Sequence, residues 1–447
     1  MANKDQWTSK IGFILAAAGS AIGLGAIWKF PYMAGTNGGG VFFLLFILFT
    51  VLIATPILLG EFVIGRRGQA DAVHSYKNLA PGTKWHWIGY LGTIVSILIL
   101  SFYSVVGGWI LSYLMRSFTG VLIGKTQDEY AALFQSIISN PVEVLIAQFI
   151  FMIMTIFVVK SGIQKGIERA SSVMMPALLI LFIVLAIRSL SLDGAMEGVK
   201  FLLQPDWSYL NGKTALLALG QAFFALTVGL SVMVTYSSYL PKHEDMPKSA
   251  FSVAALNIII SLLAGLVIFP SVFALGFEPD VGPGLIFVVI PAVFNEIAFG
   301  GLFLIVFLIL LLFATLTSAF SILEIFVAVL SKEKPEKREK YTWASGILAF
   351  VIGIPSALSF GVLNDFFIMD MIFFDFADYL TSNIGLPLGA FLISIFVSWR
   401  MKKADVWNEL QTGSNVSSAF FKAWYFLLRY IVPVAIVLIF LNMMNIL

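Results

Sequence analysis

Long apolar stretches alternate with short polar segments along the whole chain. A helix needs about 20 apolar residues to cross the hydrocarbon core of a bilayer. Eleven stretches are predicted to do so and are called spans 1 to 11: residues 11–34, 41–65, 88–115, 142–159, 166–190, 214–240, 248–277, 298–330, 342–360, 366–398 and 419–441. The shorter apolar run 284–294 is predicted to be a re-entrant or surface helix. The pattern predicts an all-α, polytopic membrane protein.

Two of these spans carry an interruption. Span 1 has three glycines within residues 19–25, followed by Lys29 and Pro31. Span 6 has a second polar, glycine-marked segment at residues 223–231. Glycine costs a helix about 1 kcal/mol relative to alanine, and proline removes a hydrogen-bond donor. Freed backbone groups need other partners inside a membrane, so both breaks are expected to face a cavity.

The two breaks lie five spans apart, which suggests an inverted repeat. Residues 11–190 would form the first repeat and residues 214–398 the second, starting on the opposite side of the membrane. The extra helix at about 419–441 would complete a single transmembrane domain covering residues 1–447. Paired broken helices at matching places in two halves point to a binding site at the membrane midplane of a transporter.

Positive charge is distributed unevenly between the loops. Lys and Arg concentrate in segments on the side of the amino terminus: residues 66–84, 160–169, 242–248, 332–340 and 400–422. Cytoplasmic loops carry this excess. We therefore expect a plasma-membrane protein with a cytoplasmic amino terminus and, from the odd number of spans, a carboxyl terminus outside.

Composition excludes several kinds of chemistry. Of the 447 residues, 59% are hydrophobic and 12% are charged, whereas soluble domains have about 25% charged residues. The chain has no cysteine, and its three histidines lie in polar or loop contexts. Thiol chemistry and a histidine metal cluster are therefore not expected. No catalytic constellation lies in the spans, so an enzyme is not expected, and a net charge of +2 gives no reason to expect nucleic acid.

Five motifs make the chain resemble the neurotransmitter:sodium symporter family, in particular its bacterial amino-acid branch. They are Gly-Ser-Ala-Ile-Gly-Leu-Gly-Ala-Ile-Trp-Lys-Phe-Pro-Tyr from Gly19, Asn-Gly-Gly-Gly from Asn37, Gly-Gln-Ala-Phe-Phe-Ala-Leu from Gly220, Thr-Tyr-Ser-Ser-Tyr from Thr235 and Leu-Thr-Ser-Ala from Leu316. The resemblance covers nearly the whole chain and implies the LeuT-like fold with broken spans 1 and 6. This family is itself among the cases that define the rule on paired breaks.

The resemblance implies a sodium site between spans 1 and 8. Its ligands would be the carbonyl oxygens of Gly19, Ile22 and Ala314 and the hydroxyls of Thr317 and Ser318. Carbonyls of unwound helices are typical ligands for a transported cation. We therefore expect one Na⁺ as the cofactor at these residues.

The resemblance also implies a substrate site beside the sodium. Amides at the break of span 1 and the Tyr103 hydroxyl would bind a carboxylate, and carbonyls of spans 1 and 6 would bind an ammonium group. The implied residues are Ala21, Gly23, Leu24, Gly25, Ile99, Tyr103, Phe224, Ala225, Thr227, Leu230, Ser318 and Ile322.

Gates are implied at both ends of this pathway. The residues that match are Lys29 and Asp378 at one end, and Lys4, Trp7 and Tyr239 at the other. Asp375 is a close neighbour that would serve in place of Asp378. The acidic partner of the second gate is less defined, since the matching position is Lys332 and Glu333 follows it.

The chain departs from the family at the first sodium site. Ala26 and Ala225 replace two side-chain oxygen ligands, and only Asn257 remains. At the neighbouring chloride site Phe46 replaces a tyrosine. A desolvated cation needs replacement ligands, and a chloride without that cation is an uncompensated buried charge. We therefore hypothesise one coupled Na⁺ and no chloride.

The sequence thus predicts a sodium-coupled secondary symporter that works by alternating access. Its cargo would be a hydrophobic or aromatic amino acid or a related small molecule. The partners would be this substrate and membrane lipid, with the protein a monomer or a weak homodimer. Alternatives stay open: a transporter or sensor for a non-amino-acid ligand such as an indole derivative or amine, without obligatory sodium coupling, or an ion channel.

Overall fold

The computed structural model describes residues 6–277, 282–332 and 334–443. The predicted gate residue Lys4 and the acid Glu333 lie outside the described residues.

Ten of the predicted spans are present as long apolar helices in the described part of the chain. Nine are continuous: Gly40–Gly68, Trp87–Phe118, Pro141–Lys160, Ile163–Leu190, Met246–Ala274, Gly300–Ser331, Glu336–Leu358, Phe373–Arg400 and Ser418–Met443. Span 1 consists of two helices, Lys10–Ala21 and Gly25–Thr36, that meet at an angle of 54°. The break predicted from its glycines is confirmed.

Span 6 is also broken where its sequence predicts. Its halves are Gly212–Leu226 and Val232–Ser238, and residues 227–231 between them are not helical. Thr227, Gly229 and Ser231 have positive φ angles of 50°, 97° and 59°. Each half alone is shorter than a bilayer requires, and the two halves together occupy the stretch predicted as span 6.

Shorter elements connect the spans. The helices are Ala72–Leu79, Gln127–Ser139, Ala195–Leu203, Trp207–Tyr209, Gly282–Leu285, Val289–Asn295 and Lys403–Gln411. The run 284–294 was predicted to be one helix and is a 3₁₀ turn followed by a short buried helix. Span 10 was predicted to begin at residue 366, but strands Phe367–Ile368 and Met371–Ile372 form a hairpin there, because Met369 and Asp370 turn the chain with positive φ.

The spans differ in how deeply they are buried. Within the most apolar 18-residue stretch of each span, 83% of span 3 and 67% of span 8 is buried inside the protein, compared with 28% of span 11. Spans 3 and 8 pack against each other at the centre, next to the broken spans. Apolar side chains such as Ile146, Val173 and Val434 are exposed on the outer helices, as expected for a surface in contact with lipid.

Candidate functional site

The break of span 1 redirects two backbone N–H groups. The amide of Gly23 donates to the Ala21 carbonyl at 3.2 Å, and the amide of Leu24 donates to the Tyr103 hydroxyl at 3.2 Å. The following half-helix, Gly25–Thr36, starts here, so the positive end of its dipole points at the break. This arrangement suits a negatively charged group of a small ligand.

Two hydroxyls of span 8 face the same break. The Ser318 hydroxyl donates to the Gly19 carbonyl at 3.1 Å and to the next carbonyl at 3.0 Å. The Thr317 hydroxyl donates to the Ala314 carbonyl at 3.0 Å, and a Cβ added to Gly19 would lie 3.0 Å from the Cβ of Thr317. A hydroxyl that donates keeps oxygen lone pairs for a cation.

Four of the five predicted sodium residues, Gly19, Ala314, Thr317 and Ser318, are therefore brought together. Ile22, the remaining member, follows the first half of span 1 and donates its N–H to the Ala18 carbonyl. Buried threonines often bond to their own helix, so Thr317 alone would indicate little. The cross-span bond of Ser318 distinguishes this cluster from ordinary helix packing.

A small central cavity lies beside these oxygens. Its lining is Ser20, Ala21, Gly23, Leu24, Gly25, Ile99, Tyr103, Phe224, Thr227, Leu230, Ser318, Ile322 and Leu386. Eleven of the twelve predicted substrate residues are in this set. The exception, Ala225, is fully buried, and its carbonyl accepts a bond from Asn257. The cavity has a volume of about 20 Å³, roughly the room one water molecule needs.

The cavity has one polar and one apolar end. Tyr103, Ser318 and the break of span 1 form the polar end, where a Cβ on Gly23 would lie 2.4 Å from the Ser318 hydroxyl and 2.5 Å from the Tyr103 hydroxyl. Aliphatic side chains of Ile99, Ile322 and two leucines form the apolar end. A molecule with a charged end and an apolar end fits this division.

A larger cavity, of about 300 Å³, opens on the side of Lys29. Its lining is aromatic apart from a few residues, and Leu24, Tyr103 and Phe224 line both cavities. The Lys29 ammonium lies 3.7 Å from a carboxylate oxygen of Asp378 and 4.4 Å from the centre of the Phe224 ring. Asp375 lines the same cavity, but Lys29 forms its ion pair with Asp378.

The opposite end, called the Trp7 end, is closed. The Trp7 ring is 4% exposed, and its N–H donates to the Tyr236 carbonyl at 2.8 Å. The Tyr239 hydroxyl donates to Glu324 at 3.2 Å, and Glu324 forms an ion pair with Arg338. Tyr239 and Trp7 thus lie together, as the resemblance implied.

Glu324 is an acidic group at this end that the sequence analysis did not name. It lies on span 8, about two turns before Lys332, and is fully buried. The sequence contained one signal for it, an isolated carboxylate within an apolar span. Such groups are expensive in a membrane and are usually functional.

Asn257 takes a distinctive position where the family's first sodium site would be. Its side-chain N–H₂ donates to the Ala21 carbonyl at 3.2 Å and to the Ala225 carbonyl at 2.9 Å. Ala26 is fully buried and offers no side-chain oxygen. The carboxamide therefore satisfies two carbonyls that would otherwise need a cation or another donor.

The neighbouring layer is poor in donors. The Gln221 N–H₂ donates to the Gly25 carbonyl at 2.7 Å. Its oxygen and the Ser261 hydroxyl are buried with no hydrogen-bond partner among the described residues. Phe46 packs against the ring of Phe30, with centroids 5.0 Å apart. An anion here would find one free hydroxyl.

Two discontinuous spans around a central cavity, with an ion pair toward each end, define a class of protein, the multi-pass membrane transporter. The chain belongs to the sodium:neurotransmitter symporter family, whose sequence profile matches residues 4–133 and 128–446. It is thus a sodium-coupled transporter with the LeuT-like fold.

Individual relatives are similar over their whole length. A sodium-dependent transporter of Bacillus subtilis (strain 168) is 57% identical over 442 residues, which cover 99% of this chain and 98% of the relative. A sodium-dependent transporter of Haemophilus influenzae is 36% identical and covers 98% of both chains. Among solved structures, MhsT in complex with L-phenylalanine has a TM-score of 0.92 and 45% identity, covering 98% of this chain and 100% of MhsT.

Proposed function

We propose that this protein is a symporter that couples one Na⁺ to the uptake of a hydrophobic or aromatic amino acid. The observation that carries this proposal is the central cavity, with the Leu24 amide and the Tyr103 hydroxyl at one end and aliphatic side chains at the other. The amino and carboxylate groups would bind between spans 1 and 6. The L-phenylalanine bound to MhsT, which is 45% identical, supports this substrate class.

Sodium would bind the carbonyls of Gly19, Ile22 and Ala314 and the hydroxyls of Thr317 and Ser318. It would hold the broken span 1 against span 8 and so favour the form that is closed at the Trp7 end. Substrate would then draw Phe224 and the Lys29–Asp378 pair over itself. Release on the other side requires the Trp7 end to open.

One ion is the proposed stoichiometry, without chloride. The Asn257 carboxamide already satisfies two carbonyls of the first site. The layer of Gln221 and Ser261 lacks the several donors that a chloride needs. One Na⁺ moving through 100 mV provides about 2.3 kcal/mol, before any concentration gradient.

In the plasma membrane, the Trp7 end would face the cytoplasm, because Lys and Arg concentrate in the loops on that side. The carboxyl terminus would then lie outside the cell. The protein would act as a monomer or a weak homodimer.

A non-amino-acid cargo, such as an indole derivative or amine, is the second candidate for the substrate. It is favoured by the altered first sodium site, which in relatives also contacts the substrate carboxylate.

The test is thermal stability of the purified protein in Na⁺, K⁺ or choline, with and without chloride, across amino acids, indole compounds and amines. We expect Na⁺ to stabilise the protein, chloride to have no effect, and hydrophobic amino acids to add a second increment.

The variant Thr317→Val should abolish the stabilisation by Na⁺. Thr342→Val, which removes a buried hydroxyl that bonds only to its own helix on span 9, is the matched control. Stability that is indifferent to Na⁺ would refute the proposal, and stabilisation by amines alone would replace the cargo.

A further inference from the structure

Span 10 reaches the central cavity through one side chain that the sequence did not single out. Leu386 lines the apolar end and is 2% exposed. It follows the π-helical segment Tyr379–Gly385 directly and precedes Pro387. Such π-helical turns are frequent at functional sites, because they interrupt the regular helix and permit local adjustment.

Span 10 also contacts the break of span 6, backbone against backbone. A Cβ added to Gly229 would lie 2.2 Å from the Leu386 carbonyl oxygen, and one added to Gly389 would lie 1.9 Å from the Gly229 carbonyl oxygen. No real side-chain carbon fits at such distances. The two glycines therefore allow span 10 to support the segment 227–231 directly.

The other side of that segment is held by a buried carboxylate. Glu61 of span 2 accepts hydrogen bonds from the amides of Gly229 at 2.8 Å and Met233 at 3.1 Å. Carboxylate acceptors make strong bonds in a buried place. Leu230 lies within this segment, which is held from both sides. Its position in the wall of the cavity is therefore rigid.

Two further aliphatic walls are stiff as well. Ile99 and Ile322 lie in spans 3 and 8, two helices of 32 residues each that pack along one another. Their β-branched side chains have one strongly preferred rotamer in a helix. Leu386 differs from them, because it is not β-branched and its helix is irregular on the amino-terminal side. A cavity of about 20 Å³ must enlarge to take any substrate side chain, and the rotamers of Leu386 are less restricted than those of the two isoleucines.

We propose that Leu386 determines the size of the substrate side chain that this transporter accepts. A large side chain would displace Leu386 toward the π-helical segment, whereas a small one would leave it in contact. The inference rests on the proposed function, since it takes the cargo to be an amino acid. It adds span 10 to the elements that select the cargo.

The test compares the wild type with Leu386→Ala and Leu386→Phe. For each protein the concentration dependence of thermal stabilisation is measured in Na⁺ with valine, leucine, phenylalanine and tryptophan. Changes of one methylene in an apolar pocket alter selectivity by about 10- to 200-fold. We expect Leu386→Ala to raise the affinity ratio of tryptophan to valine at least about 10-fold, and Leu386→Phe to lower it by a similar factor.

Leu392→Ala is the matched control, because it makes the same truncation on the same span at a partly buried position that does not line the cavity. It should leave the ratio unchanged. Stabilisation by Na⁺ alone verifies that each variant is folded. An unchanged ratio in both Leu386 variants would overturn the inference while the wild type still binds amino acids. A wild type stabilised by none of the four would instead refute the proposed function.

Discussion

At the scale of single residues, Asn257 joins the two broken spans where the family's first sodium site would be. Its N–H₂ lies within hydrogen-bond distance of carbonyls from spans 1 and 6. If its oxygen faced them instead, three acceptors would meet without a donor, which is expensive in a buried place. The carboxamide N–H₂ thus links spans 1, 6 and 7, whereas its oxygen is buried without a hydrogen-bond partner among the described residues.

This role predicts that Asn257→Asp creates a cation requirement. A carboxylate beside two carbonyls is uncompensated unless a cation binds or the group takes up a proton. In a Thr317→Val background, where the other site is disabled, we expect Asn257→Asp to restore stabilisation by Na⁺ in a thermal titration. At 100 times its dissociation constant an ion stabilises by about 2.7 kcal/mol.

Asn257→Ala in the same background provides the comparison. It removes the donor and adds no charge, so it should destabilise the protein without any sodium effect. A double variant with Asp at this position that remains indifferent to Na⁺ would show that the carboxamide does not occupy a latent cation site.

Much of the candidate site was predictable at this scale, because residues that match the family, such as Tyr103 and Ser318, have side chains with recognisable chemistry. Leu386 and Glu324 were missed for different reasons. Leu386 is one apolar residue among many in an apolar span, and only the path of the backbone brings it to the cavity. Glu324 could have been noticed as an isolated charge in an apolar span, but the resemblance to the family directed attention to residues 332 and 333.

At the scale of elements, the broken span 6 is held in an unfavourable conformation. Thr227 and Ser231 have positive φ angles, which cost side-chain-bearing residues of order 1–3 kcal/mol each. Glu61 on one side and Gly389 on the other stabilise this conformation. The strain is therefore retained where the substrate would bind.

We predict that Gly389→Ala disrupts the site by separating spans 6 and 10. The added Cβ would meet the Gly229 carbonyl oxygen at 1.9 Å, so one backbone must move. Overpacking costs about 1–3 kcal/mol, so we expect amino-acid affinity to fall about 10-fold or more and hydrogen exchange of residues 227–231 to rise.

Gly220→Ala controls for the substitution itself, since no heavy atom lies within 4 Å of the Cβ it would add. This change should be neutral or stabilise the helix by up to about 1 kcal/mol. Wild-type affinity in Gly389→Ala would mean that the close contact between the two spans is not needed for binding.

Hydropathy predicted the spans well and their ends less well. The run from residue 366 is as apolar as the helix after it, so nothing in the pattern marks the hairpin that precedes Phe373. Backbone turns at Met369 and Asp370 depend on φ preferences that hydropathy does not represent. The breaks of spans 1 and 6 were predictable because glycines mark them.

At the scale of the whole molecule, the two ends are unequally closed. The Lys29–Asp378 pair is partly exposed, with 21% and 37% of the side chains accessible, and exposed pairs contribute about 0–1 kcal/mol. The Glu324–Arg338 pair at the Trp7 end is 0% and 15% exposed. Removing one partner of a buried pair costs about 3–5 kcal/mol. The ion pair at the Trp7 end is thus the more deeply buried of the two, and the loss of one of its partners is the more costly change.

We therefore predict that Glu324→Gln shifts the protein toward opening at the Trp7 end. The substitution keeps the shape of the side chain but removes the charge that faces Arg338 and weakens the acceptor of the Tyr239 hydroxyl. Without this support the segment that holds Trp7 should separate more often from Tyr236. We expect faster hydrogen exchange in residues 6–20 and unchanged exchange in residues 30–36 at the Lys29 end, measured in Na⁺.

The control is Glu296→Gln. Glu296 is an exposed acid on the loop before span 8, so this substitution should change the exchange of neither region. Equal acceleration at both ends would indicate general destabilisation, and no acceleration at residues 6–20 would show that the ion pair does not keep this end closed.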